Sequence, residues 1–322
     1  MAIENKSIHM KKLRYILFFL LGCIYIVDAQ QMPQYSQYML NDYVTNPAIA
    51  GTKEYYQARS NNRYQWIGIV DAPKTYILSI YGPDKRKDIG YGGYAFNDVT
   101  GPTSRTGIYG SYSYNFRIDG DIRISLGLSA GLLQFKIDGS KVILHDEGDP
   151  SFGDAMYVKY TPDATFGTYV YAHNFYGGIG ISQLFGNKIN FKDLESIDKS
   201  NLKQHLFMNA GYLYAINEEF VLEPSFMFKA VYPIPVHFDI TTRIIYQEIA
   251  WFGVSWRTGF AKQTTDALNL MIGYNHENQL IFGYSYDITL SNLKNYSSGT
   301  HELMIGFRFN KIKKSMSRAK IY

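Results

Sequence analysis

His237, Asp239 and Arg243 share the parity of one segment, and Glu223 and Lys229 share the parity of the segment before it. An imidazole, carboxylates and cations within reach of one another are the raw material of acid–base or nucleophilic chemistry. The partners that such chemistry needs are missing from the chain. The G-x-S-x-G match "GLSAG" at 127–131 lies inside an alternating strand pattern and not at a strand-to-helix elbow, and "GGIG" at 177–180 stands in a strand pattern with small residues rather than in a phosphate loop. "HEN" at 276 and "HEL" at 301 both lack the second histidine four residues on that a zinc-binding helix requires. The seven histidines are scattered with no metal-ligand spacing. No catalytic residue, metal site or cofactor is therefore expected.

The alternative use of these polar residues is mechanical. The "YPIP" turn is expected to set Lys229 opposite Asp239, and the "QE" turn to set Asp239 opposite Arg257. A Lys229–Asp239–Arg257 row, with Arg243 and Glu223 on the same face, would satisfy carboxylates inside a barrel wall and stiffen its ladder. A pore-lining or client-binding role is the second reading of the row, and catalysis the third.

The elements that must position this row begin behind an export leader. Lys6, Lys11, Lys12 and Arg14 precede the uncharged stretch Tyr15 to Val27, whose 13 residues are fewer than the ~20 that span a bilayer. Val27-Asp28-Ala29 suits signal-peptidase cleavage before Gln30, so residues 1–29 read as a signal peptide. The only cysteine, Cys23, lies inside this leader; "LLGC" has a faint lipoprotein look, but the apolar run continues past it. A mature chain without cysteine excludes disulfide and thiol chemistry. The formal charge of +4 falls to +2 without the leader, and residues 310–322 carry five more basic residues and no acid. The body is thus slightly acidic, which offers nothing to nucleic acid.

Composition points to a membrane, but not to helices. The chain holds 29 Tyr, 20 Phe and 28 Gly among 322 residues, at a mean hydropathy of −0.20. The mature part contains no apolar run of 18 residues. What recurs is alternation with period two. Ile122, Ile124, Leu126, Leu128, Ala130 and Leu132 alternate with Arg123, Ser125, Gly127, Ser129 and Gly131. Ile108, Tyr112, Tyr114 and Phe116 oppose Ser111, Ser113, Asn115 and Arg117, and Phe238, Ile240, Ile244 and Tyr246 oppose His237, Asp239, Thr241, Arg243 and Gln247. Several such segments exceed the ~5–6 residues of an average soluble strand and reach the ~9–11 of a tilted membrane strand.

Fourteen segments are expected: 53–62, 74–82, 88–97, 105–117, 122–135, 164–172, 175–183, 204–216, 220–232, 236–246, 249–258, 266–274, 279–287 and 301–309. Every second connection ("PDKRK", "IDGD", "HN", "NEE", "QE", "NHEN") is short, and the long ones near 137–163, 184–203 and 288–300 fall among the others, where "YPIP" alone is short. Short periplasmic turns and long outer loops sort this way in transmembrane barrels. The expected fold is an all-β, antiparallel transmembrane barrel of about 14 strands at residues 53–309, in the outer membrane, with both chain ends periplasmic. "HELMIGFRF" ends on Phe309, as the final strands of such barrels do, and a basic tail at 310–322 follows it. Gly90, Gly92, Gly93, Gly177, Gly178 and Gly180 are expected to relieve crowding on curved strands or to admit a neighbouring ring.

Residues 30–52 precede the first strand. Tyr35, Met39 and Tyr43 recur at i, i+4 and i+8, the stripe of a short amphipathic helix, and Asn46-Pro47 is expected to end it. The segment is read as periplasmic or plug-like, with Tyr35, Met39, Tyr43, Asn46 and Pro47 as plug or partner-docking residues; a passive lead is the alternative.

"QYSQYMLNDYVTNPAIAG" resembles the opening signature of the PorP/SprF family of type IX secretion membrane proteins. The likeness continues through "RYQWIG", "GYGGYAFNDVTGP", "GIYGSYSYNF", "LGLSAGLLQFKIDGSK", "NFYGGIGISQL", "FGYSYDITLS" and "GTHELMIGF", covering nearly all the mature chain. The resemblance implies a non-enzymatic outer-membrane barrel tied to type IX secretion and often to gliding motility. Its implied partners are lipid, secretion subunits and a secreted client such as a surface adhesin. A solute porin remains the other class; the oligomeric state is open.

Overall fold

The computed structural model describes residues 34–84, 88–142, 155–189, 200–259 and 266–309. The expected signal peptide and basic tail lie outside them. Fourteen strands form the wall: β1 (Tyr56–Tyr64), β2 (Lys74–Pro83), β3 (Ile89–Thr100), β4 (Thr103–Asp119), β5 (Ile122–Asp138), β6 (Met156–Tyr171) and β7 (Phe175–Ser182) make the first half. The second half comprises β8 (His205–Tyr212, resuming as Tyr214–Ala215), β9 (Phe220–Val231), β10 (Ile234–Tyr246), β11 (Ala250–Gly259), β12 (Ala267–His276), β13 (Leu280–Thr289) and β14 (Thr300–Phe309). Each strand pairs antiparallel with the next, and β1 closes on β14, with Tyr56 opposite Phe309 and Tyr64 opposite His301. Closure leaves no sheet edge to lipid, which a membrane-spanning sheet requires.

The period-two reading sets the two faces. Leu126, Leu128 and Leu132 are exposed on the outside of β5, while Ser125 and Ser129 are fully buried inside. Ile240 and Ile244 face out from β10, and Asp239, Thr241 and Arg243 face in. At one end every connection is short: 84–88, 120–121, 172–174, 216–219, 247–249 and 277–279. The other end carries the long connections, with departures from expectation: β6 begins at Met156, inside the stretch near 137–163 expected as a loop. β3 and β4 run on past the expected ends, so Gly101-Pro102 is a second tight turn there beside Tyr232-Pro233. Gly101, at φ +55°, takes the left-handed conformation that this turn needs.

Candidate functional site

The lumen is occupied. Residues 36–38, 40–41 and 43–52 are all buried, although the only regular structure among them is three single 3₁₀ turns at Tyr38–Leu40, Asp42–Val44 and Pro47–Ile49. The expected amphipathic helix is not formed. Asn41 (φ −140°, ψ 51°) and Asn46 (φ −145°, ψ 102°) both leave the helical region and break the run. Nor does Asn46-Pro47 only terminate structure: Asn46 Oδ1 accepts the Ala48 N–H at 3.0 Å, and Pro47 takes the first position of the third turn. Proline suits that position, where no N–H partner is required.

Without a helix, Tyr35, Met39 and Tyr43 do not form one stripe. Tyr35 and Tyr43 join a cluster with Tyr81, Tyr94 and Tyr109, whereas Met39 packs against two others, around Leu40, Trp251 and Met304 and around Tyr38, Phe207 and Met227. Tyr43 stacks on Tyr81 at 4.1 Å and meets Tyr94 edge-on at 6.0 Å. The wall makes room for this backbone. A Cβ on Gly127 would overlap Ala48, one on Gly167 would overlap Asn46, one on Gly180 would overlap the Thr45 carbonyl and one on Gly90 would overlap Ala50. At Gly90 and Gly180 the expected reason, curvature or a ring, gives way to close passage of the inserted chain.

Polar contacts fix the segment along its length. Ser125 and Ser113 donate to the carbonyls of Ala48 and Ala50, each at 2.5 Å. Asn46 Nδ2 donates to the Thr168 carbonyl at 2.9 Å, Tyr43 shares a hydrogen with Ser111 at 2.5 Å, and Asn41 Nδ2 donates to Asn61 at 2.8 Å. The strongest anchor is at Ser36-Gln37. Glu302 accepts the two consecutive backbone N–H groups at 2.8 and 3.1 Å, and the Ser36 hydroxyl donates to Asp287. Ser36 Oγ in turn accepts from Arg63 at 2.7 Å and from Arg257 at 3.1 Å. Charge-assisted bonds of this kind are roughly twice as strong as neutral ones.

The expected charge row exists, and it extends further than anticipated. Arg257 lies opposite Asp239 in register, with Nε–Oδ1 at 2.8 Å. Lys229 reaches Asp239 at 2.5 Å, but diagonally: its register partner is His237, and that of Asp239 is Met227. The two-residue turn at Tyr232-Pro233 and the irregularity between Lys229 and Val231 set this offset. From Arg257 the row continues to Asp287 at 3.1 Å, to Arg63 at 2.8 Å and on to Glu302 at 3.0 Å. Three cations and three carboxylates thus form one neutral, buried chain. Arg243 and Glu223 stand apart as a separate pair, with Arg243 Nε to Glu223 Oε2 at 2.7 Å and Tyr176 donating to Oε1 at 2.8 Å. His237 pairs with Asp266 at 3.0 Å, near the long-loop end. Arg63, Asp287 and Glu302 escaped the sequence reading, although each is a charge on the inward parity of its strand.

The inserted segment divides the lumen. Gln34 borders a cavity of about 360 Å³ toward the long loops, along with Trp66, Asp98 and Ser291. Asp42 and Lys53 border another of about 570 Å³ toward the short turns, with Arg59, Glu248 and Arg308. Burial raises the Asp42 carboxyl to about 6, against the pull of Lys53 and Arg59, and lowers the Lys53 ammonium to about 7. Among the described residues, no group of three or more His, Cys, Asp or Glu is placed to hold a metal ion.

A closed fourteen-strand antiparallel wall, apolar outside and filled inside by the chain's own leading residues, defines an outer-membrane-type β-barrel with an occupied lumen. The chain belongs to the family of type IX secretion system membrane proteins PorP/SprF, whose profile matches residues 27–307. No curated protein matches it significantly. Among solved structures it is similar to the Ralstonia pickettii toluene transporter TbuX, with TM-score 0.49 and 8% identity over 83% of this chain and 92% of that one. The Acinetobacter baumannii outer membrane protein Omp33 gives 0.47 and 11%, over 80% and 100%, and a Pseudomonas aeruginosa FadL homologue gives 0.42 and 8%, over 79% and 88%.

Proposed function

We propose that this protein is a non-enzymatic outer-membrane component of the type IX secretion system that supports secretion or surface anchoring of partner proteins, gliding adhesins among them. The long loops face the exterior and the short turns the periplasm, and an N-terminal signal peptide exports the chain. One observation supports this reading over a solute porin: the lumen is filled by residues 34–52, held by buried hydrogen bonds and by wall glycines that admit their backbone. Family membership supplies the secretion context. Tyr35, Met39, Tyr43, Asn46 and Pro47 keep the lumen closed and shape the mouths at which partners dock, while the charge row holds the wall to the segment.

Serine at positions 35, 39 and 43 together is the test. The barrel is expected to insert, because no ladder hydrogen bond involves these side chains, while surface delivery of the client falls and ion current in planar bilayers rises. Normal delivery with unchanged current would refute the role. A large steady current through the unmodified barrel would favour a porin instead.

A further inference from the structure

The cavity of about 570 Å³ opens at the short-turn end of the lumen. Two guanidinium groups on its wall have no carboxylate in direct contact, although Asp42 acts on Arg59, and Glu248 on Arg308, from further away. Arg59, on β1, is 7% exposed and spends Nε (3.1 Å) and Nη2 (2.7 Å) on the neutral Gln57 Oε1, and its buried Nη1 has no hydrogen-bond partner. Arg308, on β14, lies over the Tyr55 ring at 5.0 Å, and its buried Nε is also unpartnered. The two strands meet at the barrel seam, where Gln57 faces Arg308 and Arg59 faces Gly306, so the two cations are near neighbours on the inward face. Among the described residues neither takes part in an ion pair, whereas Arg63, Arg243 and Arg257 each hold a carboxylate directly. Trp251 Nε1 is a third buried, unpartnered donor among the residues lining this cavity.

Buried charged donors left unmet are costly, and an anion that reaches them removes the cost. The surroundings narrow down which anion. Asp42, Glu54, Glu223, Glu248 and Glu277 also border the cavity, Glu223 paired with Arg243 and the last two exposed on turns. Like charges at the entrance disfavour polyanions and phosphates, but tolerate one carboxylate whose neighbours are neutral or basic. Tyr55, Tyr81, Trp251 and Phe309 supply aromatic wall, and the volume falls within the ~300–1,000 Å³ of small-ligand sites, enough for the tip of a chain.

We propose that this mouth is a receptor for a peptide segment that inserts a single carboxylate at Arg59 and Arg308. The segment lays an apolar side chain against Tyr55 and Trp251 and continues, neutral or basic, past Glu248 and Glu277. The peptide rests on the docking reading above; the carboxylate site does not.

Calorimetric titration of the purified full-length barrel in detergent tests it with three short peptides. Ac-Lys-Ala-Phe-OH carries the carboxylate at its end, Ac-Lys-Asp-Phe-NH2 carries it on a side chain, and Ac-Lys-Asn-Phe-NH2 carries none. Saturable binding of either carboxylate peptide, at least tenfold tighter than the neutral one, is expected. Changing Arg59→Gln and Arg308→Gln together should abolish that preference, and Arg105→Gln, toward the other end, should leave it intact. Equal binding of charged and neutral peptides overturns the proposal, as does the absence of saturation or inorganic phosphate binding as tightly as the peptides. Binding is read on the isolated barrel and delivery in cells, so the two readings can fail separately.

Discussion

Glu302 holds the inserted segment and the charge row at the same point, and replacing it with alanine separates the two jobs of the barrel. Its carboxylate accepts from Ser36 N at 2.8 Å, Gln37 N at 3.1 Å and Arg63 Nη1 at 3.0 Å, at 0% side-chain exposure. None of these is a ladder bond, so β14 keeps all its pairing with β1 and β13. Removing one partner of a buried ion pair costs about 3–5 kcal/mol. Arg63 retains Asp287 at 2.8 Å, which places Glu302→Ala near the lower figure. About 3 kcal/mol corresponds to roughly a hundredfold larger population in which residues 34–52 have left their site. Proteolysis under conditions where opening is faster than cleavage tracks that population. Cleavage within 34–52 should therefore accelerate by about two orders of magnitude in the solubilised barrel, and brief current openings should appear in bilayers. Glu302→Gln, which keeps the shape without the charge, should fall between. A barrel that stays heat-modifiable but shows unchanged cleavage and current would refute the view that this carboxylate pins the segment.

Two further outcomes follow from the same geometry. Leu126→Arg, at an outward position 42% exposed in mid-strand, should cost ~2–4 kcal/mol and block insertion. Ser125→Arg should insert but expel the segment, because Ser125 is fully buried and bonded to the Ala48 carbonyl; equal insertion of both together with an undisturbed segment would mean the faces are misassigned. With Cys23→Ser and a single cysteine introduced, Gln34→Cys should react with an impermeant maleimide on whole cells and Glu248→Cys only after the outer membrane is opened. The reverse pattern would invert the proposed orientation.

All fourteen strands were legible because lipid outside and a packed lumen inside demand opposite residues at every step, and alternation records both. Strand ends were less legible. Nothing in "FNDVTGPTSRT" marks where lipid stops, so β3 and β4 run further than expected. The inserted segment was legible as amphipathic but not as 3₁₀ turns, since its conformation is dictated by what the wall offers. Asn46 serves a turn with Oδ1 and the Thr168 carbonyl with Nδ2, a division no local pattern encodes. The Asp239–Arg257 pair could be guessed because the short "QE" turn sets its register, whereas Lys229 reaches Asp239 only diagonally, since the tighter turn at Tyr232-Pro233 shifts the expected register. The row's continuation to Arg63 and Glu302 crosses the seam between first and last strands, whose register depends on closure of the whole sheet.

That seam gives the inserted segment a further mechanical consequence. Residues 34–52 lead directly into β1, so the chain leaves the lumen only a few residues before it enters the wall. Asn41 is held by Asn61 of β1, Ser36 by Arg63 of β1, and Ser36 and Gln37 by Glu302 of β14. Gln37 Nε2 also donates to the backbone carbonyl of Glu302 at 3.1 Å. Through Arg257 and Asp287, Ser36 touches β11 and β13 as well. One short stretch thus ties together both strands of the pair that closes last in sequence and two strands beyond it. Residues 43–50 are held elsewhere, by β4, β5 and β6, so the segment links the seam to a distant part of the wall. Its contacts at the seam couple occupancy of the lumen to closure of the barrel, so that an emptied lumen weakens the one strand pairing that no hairpin makes.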